Sequence, residues 1–209
     1  NMEISDFTAI EQEERRPLRV LRDAFRENRV VSGLAGDFDQ KALWEVLTSR
    51  RFERHVSPKD RRRLREHLLW TRLVRETETE GPSGALVDLV PWALANRASL
   101  VLKPNLLCGG EGVTLGLLLA KKDWERVLRR AVRQPGHWVL QKFHRASRFA
   151  FRGVGSRFVT CGVISGPSAI SALGRASLDP VVNVSRGGGL VPLYRRIVRG
   201  PARSALPSP

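Results

Sequence analysis

The chain has 209 residues, 42% of them hydrophobic and 27% charged, enough apolar material for one substantial core or one domain with two lobes. No apolar run reaches the roughly 18 residues of a membrane span, and two cysteines, Cys108 and Cys161, exclude a disulfide framework, lack metal-ligand spacing and point to a reducing cytoplasm. The net charge is +15, but the 30 arginines are dispersed and only Arg61-Arg62-Arg63 forms a run. With no aromatic-interleaved basic stripe, a nucleic-acid partner is not expected.

In chain order, residues 5–28 read as helical, with Leu18, Leu21 and Phe25 at three- and four-residue spacing. Arg29-Val30-Val31 reads as a short strand, and Asp39 as the cap of a helix through Lys41 to Leu47. Ser57 caps a charged helix over about 59–67, which ends near Leu69 to Arg72. Residues 77–84 are polar and glycine-containing, the expected flexible connection, and 86–97 are expected to form a short helix. Residues 1–30 thus form an N-terminal helical extension and 31–98 a mainly helical segment. Residues 99–195 supply the sheets, and 196–209 a disordered tail.

Within the sheet-forming stretch, the apolar strand Leu100-Val101-Leu102 delivers one lysine, Lys103, toward a loop holding Gly109, Gly110 and Gly112, with Val113 opening a strand to Leu118. Glycines reach φ > 0 and let backbone N–H groups close on a phosphate, while the ammonium supplies charge. The lysine precedes the glycines, so this is not a Walker A loop. An amphipathic helix over 122–133 follows, with Trp124, Val127, Leu128 and Ala131 on one face. Trp138 to Phe143 reads as a buried strand, 145–156 as an arginine- and glycine-rich loop, and 158–164 and 169–176 as antiparallel strands. Val181 to Val184 reads as a last strand entering Ser185-Arg186-Gly187-Gly188-Gly189.

The order Lys41-Ala42-Leu43, Leu69-Trp70-Thr71-Arg72, Leu100 to Asn105, Gly109 to Val113, Trp138 to Gln141 and Val182 to Pro192 resembles the ATP-grasp superfamily. More narrowly, it is similar to bacterial circularly permuted ATP-grasp proteins related to glutathionylspermidine synthase. The resemblance implies an α+β ATP-grasp fold: two lobes of antiparallel sheet flanked by helices, with ATP in a cleft between them. It implies that Lys103 contacts the α- or β-phosphate and that Gly109, Gly110, Gly112 and Val113 cover the β- and γ-phosphates. Gln141, Lys142 and Phe143 would form the adenine-binding hinge, and Lys41 would lie across the nucleotide. Arg72 and Arg186 are the implied catalytic residues and Asn183 a Mg²⁺ ligand. The implied reaction joins a carboxylate to an amine through an acyl phosphate, releasing ADP.

The sequence also departs from that pattern. Val181 stands two residues before Asn183 where an acidic ligand is usual, no carboxylate lies between Arg145 and Thr160, and only about 40 residues precede Lys41. A truncated or degenerate module is therefore expected, with a protein partner supplying the missing segment. The alternative is a non-catalytic scaffold acting through protein partners, and less favoured still a basic nucleic-acid-binding protein.

Overall fold

The computed structural model describes residues 4–27, 29–30, 40–107, 109–165, 170–184 and 187–193. The chain divides into two compact units, Asn1–His144 and Arg145–Pro209. The boundary falls inside the 99–195 stretch expected to supply the sheets. The fold is mixed α+β with antiparallel sheets.

In the first unit the expected N-terminal helix is two helices, α1 Ile4–Glu13 and α2 Arg19–Arg26. Pro17 lacks an N–H and Arg15 takes φ 51°, so the helix cannot run through. The Glu11 carboxylate accepts from the Leu18 N–H at 2.8 Å and from Arg22 Nε at 2.6 Å, fixing the start of α2. Arg22 holds that carboxyl down at about 2. Two short helices follow, α3 Leu43–Leu47 and α4 Arg50–Glu53, then α5 Pro58–His67. Ser57 accepts from the Asp60 N–H and Pro58 opens α5, as its sequence predicts. Val31 and Asp39 lie outside the described residues, and Arg29 and Val30 are not in a strand.

The segment expected to be mainly helical contains three strands. β1 Thr71–Leu73 replaces the expected helix end. β2 Glu78–Glu80 pairs with β3 Leu86–Asp88 across the stretch expected to be a flexible connection. Gly84 at φ 85° makes that turn, and the Trp70 indole donates to the Glu80 carbonyl at 2.7 Å, anchoring the hairpin. α6 Leu89–Ala95 is shorter than expected because its N-terminal residues are taken by β3.

β4 Leu100–Pro104, β5 Thr114–Leu115 and β6 Trp138–Lys142 complete a four-stranded antiparallel sheet in the order β1-β6-β4-β5. After β5 the chain turns into a 3₁₀ segment at Gly116–Leu118 instead of extending. α7 Lys121–Val132 and α6 pack on one face of this sheet, where Leu100, Leu102 and Leu140 meet Leu89, Trp124 and Leu128. Each such buried side chain stabilises the fold by about 1.5–3 kcal/mol. The Trp124 indole donates to the Ala93 carbonyl at 3.0 Å and ties the two helices together.

The second unit is a four-stranded antiparallel sheet in the order β10-β9-β8-β7. β7 Ser147–Phe151 occupies the stretch expected to be a loop, paired with β8 Gly155–Ser165. β8 pairs in turn with β9 Ile170–Ser177, matching the expected hairpin. The last strand is β10 Gly189–Val191, not 181–184, where the chain bends. The expected tail at 196–209 lies outside the described residues.

Candidate functional site

Alternation along β4 sends Leu100 and Leu102 to the helix-covered face and Val101 and Lys103 to the other. On that second face Thr71, Gln141 and Val101 stand in register across β1, β6 and β4, all nearly fully buried. Lys103, one pair further along, reaches diagonally to Gln141, its ammonium donating to Oε1 at 2.6 Å. The Gln141 amide is oriented by donating to Thr71 Oγ1 at 2.9 Å, and Thr71 donates onward to the Leu69 carbonyl at 3.0 Å. Gln141 must therefore present its carbonyl oxygen to the lysine. Burial, and then repulsion from Lys41, push the Lys103 pKa below its ordinary value. Lys103 is thus a half-buried cation whose hydrogen-bond partner is a neutral amide rather than a carboxylate.

Lys41 sits in the turn before α3, with its ammonium donating to the carbonyls of Leu107 at 2.6 Å and Asn105 at 3.2 Å. Its backbone N–H also reaches the Asn105 carbonyl at 3.2 Å. Asn105 completes the joint. Its Oδ1 accepts from the Ala42 N–H at 2.8 Å, supplying the helix-start acceptor expected from Asp39, and its Nδ2 donates to Gln40 Oε1 and the Gly136 carbonyl. The chain entering the glycine loop is thus fixed to the turn before α3, and beyond the loop β5 pairs with β4. Within the loop Gly109, Gly110 and Gly112 have φ of 67°, 79° and 65°. A Cβ on Gly112 would lie 2.7 Å from Pro104 Cγ, so both conformation and space demand glycine there. Val113 is half-buried and its N–H donates to the Gly110 carbonyl at 3.4 Å.

Other expected site residues stand elsewhere. Arg72, a candidate catalytic residue, is 3% exposed in β1. It stacks on Trp70 and donates to Thr79 Oγ1 and Thr48 Oγ1, both at 2.9 Å, and to the Thr71 carbonyl, so it ties the β2–β3 hairpin and the end of α3 to the sheet. Lys142 is exposed, and the N–H groups of Lys142 and Phe143 are already given to the carbonyls of Trp70 and Ser99. That leaves neither N–H to serve as an adenine-binding hinge donor. Gln141, expected in the same hinge, is instead the lysine's partner. Arg186 lies outside the described residues. Asn183 is in the second unit, its carbonyl accepting from the Gly188 N–H at 3.0 Å. As to Mg²⁺, the donor chemistry does not fit: among the described residues no three His, Cys, Asp or Glu side chains gather, and Asn183 offers only a neutral amide.

Sequence reasoning assigned no role to Thr71, Asn105 or Glu45. Asn105 carried one readable signal, a single amide directly after an apolar strand and a proline. Neither models of known protein families nor curated proteins match this sequence. Among the described residues no helix is long and apolar enough to cross a membrane.

Proposed function

We propose that this chain is an ATP-binding module of the ATP-grasp type, its first unit clamping the nucleotide's phosphates. The observation that carries this reading is Lys103: a half-buried ammonium satisfied by an amide, repelled by Lys41, beside a loop with three left-handed glycines. A polyphosphate relieves that repulsion and accepts from the lysine and from the loop N–H groups. On this reading Lys103 takes the α- or β-phosphate, the Gly109–Gly112 loop covers the β- and γ-phosphates, and Lys41 holds the loop in place. Calorimetry with ATP tests it: Lys103→Ala lowers affinity at least tenfold, and unchanged affinity overturns the proposal.

The resemblance extends the reading to a carboxylate–amine ligase, in which a carboxylate oxygen takes the γ-phosphoryl group from ATP and an amine then displaces phosphate. ADP release that depends on both an added carboxylate and an added amine is the measurement that supports it. The lack of a gathered acidic donor set among the described residues favours the second reading, a nucleotide-binding scaffold without catalysis. ATP affinity that survives without Mg²⁺, and no ADP release with any carboxylate–amine pair, distinguishes that case.

A further inference from the structure

The second unit carries a charge imbalance that nucleotide binding does not use. Residues 145–209 hold ten arginines, no lysine and a single carboxylate, Asp179, and so +9 of the chain's +15. Asp179 is engaged locally, its Oδ1 accepting from the Val181 N–H at 2.7 Å. The β7–β8 ribbon interleaves this charge with aromatic rings. Arg148 stands across from Phe158, its guanidinium 5.0 Å from the ring centre, while on the opposite face Phe149 stands across from Arg157. The sequence hides this pattern, because the basic and aromatic residues alternate along a stretch that reads as a loop until it pairs with β8. Phe149 is 54% exposed although its strand is fully paired to β8.

We propose that the β7–β8 ribbon binds single-stranded nucleic acid, a base stacking on Phe149 and the arginines taking phosphates. Each component answers one part of that partner. An exposed ring on an antiparallel ribbon gives a flat surface for an unpaired base, which a duplex keeps inside its own stack. The Arg157 guanidinium across from it, in a unit with ten arginines and one acid, answers a chain of phosphates. The surface is independent of Lys103, which belongs to the other unit.

Fluorescence anisotropy of the 209-residue chain with a labelled 20-mer of oligothymidylate tests the proposal. Binding should weaken steeply with salt. Phe149→Ala should lower affinity about tenfold, as expected for loss of one stacked base, with Phe149→Trp restoring it. Arg157→Gln should reduce the log–log salt slope by about 0.7, the value for one single-strand phosphate. Lys103→Ala should leave oligonucleotide binding unchanged, which separates this proposal from the ATP reading. Unaltered binding by Phe149→Ala overturns it. So does equal or tighter binding of a 20-base-pair duplex or of phosphatidylserine vesicles, because charge alone would then account for retention.

Discussion

At the scale of single residues, Lys103 and Gly112 make the sharpest demands. The folded state lowers the Lys103 pKa through burial and Lys41, so between that lowered value and the ordinary 10.5 the unfolded chain binds more protons. Stability therefore rises with pH across that window and levels off above it. Lys103→Met should remove this rise, so its stability relative to the parent falls as pH increases toward 10.5, measured by urea unfolding. Gly112→Ala should destabilise by about 2 kcal/mol through both its positive φ and the close Pro104. Gly84→Ala, also at positive φ but in open space, should cost only about 1 kcal/mol. Lys103 was legible as the one charge ending an apolar strand. Gln141 was not, because its role depends on which residue of β4 it faces, and register is set by pairing rather than by its own neighbours in sequence.

Among elements, the joint between β4 and the start of α3 is the critical one. Asn105→Ala should cost about 3 kcal/mol, since it leaves the buried Ala42 N–H and the Gly136 carbonyl without that side chain. It should also weaken ATP binding, because the turn that carries Lys41 loses its side-chain ties to the entry of the glycine loop; urea unfolding and calorimetry on the same variant check both effects. The elements with a cap or an apolar pattern were readable: α5, α7, β4, β6 and the β8–β9 hairpin fall within a few residues of expectation. β1, β2, β3 and β7 were not. The three short strands contribute only three residues each, too few to show alternation, and in β7 flanking arginines and glycines masked Phe149 and Phe151. Arg72 misled for a related reason. A helix end predicts an exposed arginine, whereas a strand position over Trp70 buries one behind threonine hydroxyls.

Across the whole molecule, the two units can be followed separately because all five tryptophans (44, 70, 92, 124 and 138) belong to the first. Tryptophan fluorescence should therefore report only that unit, while far-UV circular dichroism sees both sheets. ATP should raise the fluorescence midpoint by more than the dichroism midpoint, with thermal melts of the same sample as the check. The division into units was only half legible, because the break after His144 falls between two strand-rich stretches. One detail of the first sheet bears on how the molecule behaves in company. β1 is an outer strand, and its outward Leu73 N–H is taken by Glu45 Oε2 at 2.7 Å, with Arg75 gripping the same carboxylate. That carboxylate occupies the place where a strand from another chain would add. Glu45→Ala would thus do more than loosen α3: it would uncover a pairing edge, and the protein would begin to self-associate as its concentration rises.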